Sequence, residues 1–329
     1  MPNPSQWAAS RARQALYASL RRFFFERGFE EVETPVLVPA AGMEPHIDPF
    51  QVPFIPQTEV GRARALYLHT SPEYAMKRLL ADGSGPLFQL CKVFRNGEVA
   101  ALHNPEFTLL ELYRPHVDYQ AVMNDLEQAL AAAEAAVGQK TGVFDRLPYE
   151  RLTVREAVLR YAGIDWKAHP DVLSLARAAQ AVGVRVGSAD SFEDVFFHLF
   201  LQKVEPALGR ERPTFLVDYP APLAALARLR PDDPSVAERV ELYVQGVELA
   251  NGFSELVDVV EQRRRLEEER SFRARTGRAV LPIDERFLAA LGKMPPSAGI
   301  AVGLDRVLML MLGAKSIDEV LLFPAREFL

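Results

Sequence analysis

The residues best suited to chemistry in this 329-residue chain fall in a few short stretches. Residues 87–115 read LFQLCKVFRNGEVAALHNPEFTLLELYRP and carry Arg95, Glu98, His103, Asn104, Glu106 and Glu111 in or beside a polar loop. A guanidinium is a planar fork that grips a phosphate or carboxylate through two hydrogen bonds. A loop that also carries an imidazole and carboxylates can aim several such groups at one ligand. The plainer alternative is an ordinary hairpin with a solvated charged loop. In residues 236–258, VAERVELYVQGVELANGFSELVD, Glu241 precedes Glu248 by seven positions, with Asn251 and Glu255 beyond. Carboxylates from neighbouring strands are hard oxygen ligands of the kind Mg²⁺ takes while sharing its other positions with water and phosphate. Spacing alone leaves open that they are cross-strand surface charges. In residues 299–312, GIAVGLDRVLMLML, a glycine-punctuated strand runs into a helix with Arg306 just inside its start.

These groups need a scaffold. The apolar runs on either side of the first loop read as two antiparallel strands, the second following the turn-forming Asn104-Pro105. Gly246 divides residues 236–258 into another hairpin. Residues 6–27 form a helix with Leu16, Leu20, Phe23 and Phe24 on one face, and Gly28 ends it. Residues 30–38 read as a strand interrupted by Pro35, and 65–70 as a short strand. Ser71 is placed to cap a helix with Pro72 at its first position, which puts Glu73 in the first turn, where a carboxylate favours the helix dipole. Residues 119–137 are strongly helical. Residues 141–236 read as a mostly helical insert with a capping box at Thr153 and Glu156, a strand near 213–219, and no evident chemistry. His169 there is expected at the surface and His198 in the core. Residues 258–276 form a charged helix whose Arg263–Arg265 cluster reads as a solvated face.

Composition sets outer bounds. With 49% hydrophobic and 25% charged residues, the chain has the profile of an ordinary soluble protein. Its single cysteine, Cys91, cannot make an internal disulfide and lies in an apolar strand, where it reads as a small core residue. No run approaches the length of a membrane span and the amino terminus lacks an apolar leader, so the cytoplasm is the expected location. A net charge of −6 offers no general basic surface for nucleic acid.

The string FRN followed by HNPEFTLLELY resembles motif 2 of the class II aminoacyl-tRNA synthetases, specifically the lysyl subgroup. The amino-terminal helix, Gly-Phe and strand ending in Thr-Pro are similar to motif 1, which builds a dimer interface, and GLDR is similar to motif 3. The motifs occur in order and span nearly the whole chain. The resemblance implies one α+β catalytic domain over residues 1–329, a mainly antiparallel sheet flanked by helices, with ATP and Mg²⁺ as cofactors. By the same resemblance Arg95 and Arg306 hold the α- and γ-phosphate regions, and Phe107 stacks on adenine. Asn96, Gly97, Glu98, His103, Asn104, Leu249 and Gly303 complete the ATP site. Glu241 and Glu248 carry the metal. The amino-acid substrate falls to Ser71, Pro72, Glu73, Tyr113, Asn251, Glu255 and Ala301, with Glu255 on an ammonium group.

Lysyl-tRNA synthetases carry an amino-terminal anticodon-binding domain, whereas this chain starts directly at motif 1. Together with FQLCKVFRN, LELYRPH and GVELANGFSEL, this makes it resemble the elongation factor P–lysine ligases, truncated paralogues of lysyl-tRNA synthetase. That resemblance implies activation of lysine or (R)-β-lysine, transfer to a lysine of elongation factor P, a homodimer, and no role for tRNA. Two alternatives are an enzyme that charges tRNA or releases lysyl-adenylate, and a non-catalytic binding paralogue. One departure stands out. Two residues after Arg95 the family has a glutamate that contacts adenine; here Gly97 occupies that position and Glu98 follows.

Overall fold

Two hairpins and one strand–helix junction make the centre of the structure, a computed structural model that describes residues 2–329 apart from 45, 59–60, 139–140 and 189. The strands are β1 (Glu30–Glu31), β2 (Leu37–Val38), β3 (Gln51–Phe54), β4 (Arg64–Leu68), β5 (Leu87–Phe94), β6 (Glu106–Pro115), β7 (Glu150–Thr153), β8 (Thr214–Pro220), β9 (Val236–Val244), β10 (Val247–Ser254) and β11 (Ser297–Gly303). The helices are α1 (Pro4–Glu26), α2 (Glu73–Ala81), α3 (Tyr119–Val137), α4 (Val154–Ala162), α5 (Val172–Ala181), α6 (Phe192–Leu199), α7 (Val259–Arg275), α8 (Glu285–Leu291) and α9 (Leu304–Met311).

Eight strands form one sheet in the order β1-β5-β6-β11-β10-β9-β8-β7. The pairings from β5 across to β8 are antiparallel, and a parallel pair closes each edge. The expected α+β, mainly antiparallel architecture is therefore what the chain adopts. Strands β2, β4 and β3 make a separate small sheet. Local chemistry explains the main reversals. The β9–β10 turn places both Gln245 (φ 56°) and Gly246 (φ 78°) in the left-handed region, the geometry that matches the twist of a tight hairpin. Helix α3 is capped by the Asp118 side chain and stopped by left-handed Gly138.

The two faces of the sheet are covered differently. On one, Leu16, Leu20 and Phe24 of α1, Val122 and Leu126 of α3, and Val307 and Leu308 of α9 bury a continuous apolar surface. Each such side chain is worth about 1.5–3 kcal/mol on burial. On the opposite face, one end lies under α2 and α8 through Met76, Leu80 and Phe287. The other end lies under α4, α5 and α6 through Val158, Leu175 and Phe196. The floor between these two covers is where the polar groups gather. Asp305 ties the layers together, accepting the Thr108 N–H at 2.7 Å and pairing with Arg13 at 2.6 Å.

Some sequence expectations change. Residues 141–236 are not simply an insert, because β7 and β8 complete the main sheet at its edge and only α4–α6 project from it. The expected strand over 30–38 is split: Glu30–Glu31 pair with β5 and Leu37–Val38 with β4. Pro35, lacking an N–H, separates the two. Helix α2 begins at Glu73, with Pro72 in the cap position, while the Ser71 hydroxyl still accepts the Glu73 N–H at 3.0 Å. His198 is exposed, 3.6 Å from Asp190, rather than in the core. Phe23 and Phe24 are buried by their own chain, whereas Phe25 stays 52% exposed. Arg263 and Arg264 pair with Glu285, Glu261 and Glu268 on a solvated face, and Arg265 pairs with Glu261. Burial pushes the Cys91 thiol up to about 12, in keeping with an inert residue. Among the described residues no helix is long and apolar enough to cross a membrane.

Candidate active site

Strand register builds the floor of the site. Glu111 of β6 stands opposite Ala301 of β11, Ala301 opposite Asn251 of β10, and Asn251 opposite Glu241 of β9. Cross-strand partners share a face, so four strands present these residues in one row. The neighbouring row runs Tyr113, Gly299, Phe253, Arg239. Glu248 joins this face by an irregularity. Three positions separate it from Asn251, an odd offset that regular alternation would put on the opposite face. The ladder shifts between Glu248 and Ala250, leaving Leu249 as an extra residue, and a bulge of this kind re-aims a side chain. Glu248 thereby pairs with Tyr243 and lines the same cavity as Asn251. A second register shift, at Asp218 (φ 61°), accompanies Tyr219, whose hydroxyl reaches Glu241.

An acidic pocket lies at the α2 end. Glu111 accepts hydrogen bonds from Ser71 Oγ and the Tyr113 hydroxyl, both at 2.6 Å. Burial, reinforced by Glu73, pushes its carboxyl up to about 8. Lys77 Nζ lies 2.5 Å from Glu73 Oε1 and 2.5 Å from Glu255 Oε2. The other Glu255 oxygen, Oε1, is buried with no partner. Gly299 makes the close packing possible. A Cβ there would meet the Tyr113 ring at 2.3 Å and Glu255 Oε1 at 3.0 Å. A buried carboxylate oxygen without a donor, set beside a tyrosine ring, suits a ligand ammonium.

Toward α9 the floor turns cationic. Arg306, in the first turn of α9, donates to the carbonyls of Leu102 (3.1 Å) and Glu248 (2.9 Å) and to His103 Nε2 (2.8 Å). Burial and the adjacent guanidinium hold the His103 imidazole below its usual range, which fits a neutral acceptor. Arg95 lies over the Phe107 ring at 5.0 Å, and its Nε is buried without a partner. Gly97 takes a left-handed φ of 83° at the loop tip, a conformation a glutamate adopts poorly. Glu98 instead lines the cavity, 3.9 Å from Arg95. Gly303 and Leu249 also line this cavity. Asn96 and Gly97 are exposed at the loop tip and do not line it. Asn104 does line it, but both ends of its amide are engaged, on the Glu106 carbonyl and the Ala325 N–H.

The donor set fits a magnesium ion shared with phosphate. Glu241 is fixed by Tyr219 (2.5 Å), Tyr243 (2.6 Å) and Arg239 (2.5 Å). Burial and the neighbouring Glu241 raise the Glu248 carboxyl to about 7 against the opposing pull of Arg306, Arg239 and Arg95, so a further cation would favour its charged form. No group of three or more ligating side chains occurs among the described residues. Such a pair suits Mg²⁺, which usually keeps several waters and binds through one or two carboxylates plus substrate phosphates.

The sequence marks Glu111 beside the loop without giving it a part in the site, and it does not single out Lys77, Arg239, Tyr219, Tyr243 or Phe253. A signal existed for Lys77, four positions after Glu73 on one helix face, and for Arg239, two before Glu241 on one strand face. Nothing local marks Tyr219, which depends on a register shift.

The family model of the class II tRNA synthetases (D, K and N) matches residues 2–327. Three curated relatives are elongation factor P–(R)-β-lysine ligases. Those of Erwinia tasmaniensis and Salmonella typhi are each 44% identical over 315 residues, covering 94% of this chain and 93% of the relative. That of Edwardsiella ictaluri is 44% identical over 318 residues, with the same coverage.

Proposed function

The chain belongs to the class II tRNA synthetases of the D, K and N group and, within it, to the family of the elongation factor P–(R)-β-lysine ligases, and from that footing we propose that it activates (R)-β-lysine or lysine with ATP and passes the acyl group to a lysine of elongation factor P. The observation that carries this reading is the pairing, on one sheet face, of an acidic pocket with an unpartnered carboxylate oxygen and a cavity flanked by two guanidinium groups.

In the first step a carboxylate oxygen of the substrate attacks the α-phosphorus of ATP. The bond to the bridging oxygen breaks, and pyrophosphate leaves as the acyl-adenylate forms. Arg95, held over Phe107 with a free Nε, is placed to neutralise the charge that develops on the α-phosphate oxygens. Arg306, locked by two carbonyls and His103, presents its remaining N–H groups to the phosphate tail. Glu255 Oε1 and Tyr113 take the distal ammonium, and Glu73 and Glu111 supply the other anionic positions near Ser71. Asn251 and Ala301 form the floor between amine pocket and nucleotide. Glu241 and Glu248 would hold Mg²⁺, which supplies charge neutralisation for the phosphates. No side chain acts as a covalent nucleophile. In the second step the neutral ε-amine of the acceptor lysine attacks the adenylate carbonyl. AMP leaves, and the amine loses a proton as the amide forms.

We take the working form to be a homodimer in the cytoplasm. Phe25, Leu37, Phe54 and Ile55 are 40–57% exposed on and near the motif 1-like region and the small sheet. The test of function is mass spectrometry of elongation factor P after incubation with the protein, ATP and β-lysine, beside a tRNA control. A mass gain of one β-lysyl group on the factor is expected. An unmodified factor with efficiently charged tRNA would overturn the reading.

A further inference from the structure

Lys77 is a buried cation inside the pocket assigned to a cationic substrate. Its side chain is 2% exposed, and its ammonium lies 2.5 Å from Glu73 and 2.5 Å from Glu255. The rings of Tyr113, Phe253 and Phe287 surround it, with centroids at 6.0, 5.8 and 5.9 Å. Helix spacing sets part of this arrangement. Lys77 follows Glu73 by four positions, so one face of α2 sends both side chains to the sheet. The pair then meets Glu255 just beyond the end of β10. The result is asymmetric. One oxygen of Glu255 faces Lys77, while the other is buried and has no partner.

We propose that Lys77 is a positioning residue: it keeps Glu255 ionised so that the free oxygen of that carboxylate can receive the distal ammonium of the substrate. The proposal rests on the reading of this pocket as the seat of a lysine-type substrate. The surroundings make the need plain. Helix α2 contributes Glu73 and Tyr74, and β6 contributes Glu111 and Tyr113. The loop before β3 contributes Glu44 and α7 contributes Glu269, which act on Tyr74, on Glu73's side of the pocket, and on each other. Helix α8 adds the Phe287 ring, and its Arg286 lines the cavity beside Ser71, Glu73 and Tyr74. Among the described groups that act on Glu255, Lys77 is the one cation, and Glu73 is a further anion. A carboxylate buried among other acids and denied a cation takes up a proton. A protonated Glu255 offers its substrate no charge. Burial already raises Glu255 to about 7 with Lys77 opposing the rise, so loss of that cation moves its ionisation further into the alkaline range. Lys77 thus shares the carboxylate with the substrate and does not compete for it, since each cation has its own oxygen.

The experiment is the pH dependence of KM for β-lysine in ATP–pyrophosphate exchange, from about pH 6.5 to about pH 9, for wild type, Lys77→Met and Lys77→Arg. In Lys77→Met, KM at neutral pH should rise about tenfold or more, one unit of displaced ionisation being a factor of ten. It should fall back steadily as pH rises, with a smaller change in kcat. Lys77→Arg keeps the charge and should keep the wild-type profile. Lys77 also opposes the rise at Glu111, so the Lys77→Met comparison is repeated on a Glu111→Gln background, where the pH-dependent difference in KM should persist; its loss there would overturn the proposal. A Met variant whose KM differs from wild type by the same factor at every pH would mean that Lys77 only packs, and would overturn the proposal. If the Met variant does not fold, the profile with Lys77 in place decides. It is then read in the Glu111→Gln variant, where an inflection in KM at or below about pH 7 supports a Glu255 held ionised and one above that overturns it. Failure of the wild type to exchange with either β-lysine or α-lysine would instead overturn the functional reading, and this proposal with it.

Discussion

Glu248 and Asn251 stand three residues apart on one strand yet face the same cavity, because Leu249 is an extra residue in the β9–β10 ladder. Glu241 reaches that face by ordinary alternation and is gripped by Tyr219, Tyr243 and Arg239. The two carboxylates proposed for the metal are thus embedded very differently, and substitution should separate their roles.

Glu248→Gln removes a carboxylate whose ionisation burial and Glu241 disfavour. Exchange should fall by a hundredfold to a thousandfold, about 3–4 kcal/mol of lost transition-state stabilisation, while thermal stability stays level or rises. Glu241→Gln should lower exchange as well, but it also takes from Arg239 its buried ion pair, leaving it the bonds to Asn251 and the Leu223 carbonyl, and should cost about 1–3 kcal/mol of stability. Exchange by Glu248→Gln at the wild-type rate would refute the metal assignment.

Ala301 lies between Glu111 and Asn251 in the central row of the floor, where lysyl-tRNA synthetases have glycine in the corresponding AGLGIGIDR string. A methyl group at a pocket wall discriminates by about 1–3 kcal/mol. Ala301→Gly should therefore raise activity with α-lysine relative to β-lysine. Competition assays with the two isomers give the ratio, and an unchanged one would clear Ala301 of setting it.

Glu269 of α7 offers a stability test independent of function. Its Oε2 is buried without a partner, and burial, reinforced by Glu44, raises the carboxyl to about 8. The unfolded chain releases this proton near the ordinary glutamate value, so the folded state binds more protons between the two values and loses stability as pH rises through that window. The cost is absent below about pH 4.5 and fully present above about pH 8. Glu269→Gln should match wild type in acid and exceed it by several kcal/mol in mild alkali. Chemical denaturation across that range checks it, and a constant difference would contradict the assignment.

The exposed apolar side chains Phe25, Leu37, Phe54 and Ile55 are the basis of the proposed dimer. Sedimentation at micromolar concentration should give twice the chain mass, and Phe25→Asp with Ile55→Asp should shift it toward monomer. A wild-type monomer would count against the homodimer.

The sequence by itself determined the class of fold and most of its elements. Alternating and continuous apolar runs marked β5, β6, β9 and β10, because backbone pleat and side-chain period are local properties. The same holds for α3, bounded by Asp118 and Gly138, and for the capping box at Thr153 and Glu156. The motif strings named the residues expected to meet ATP, metal and substrate. Tertiary structure decided how those residues are arranged, since register, bulges and helix docking depend on contacts far apart in the chain. No local pattern predicts that Leu249 is passed over in the ladder, or that Tyr219 reaches Glu241. Nor does any local pattern reveal that Lys77 and Glu255, 178 positions apart, share one buried contact. Helix spacing could bring Lys77 to Glu73, but only the packing of α2 against the end of β10 turned that pair into a pocket with one carboxylate oxygen left free.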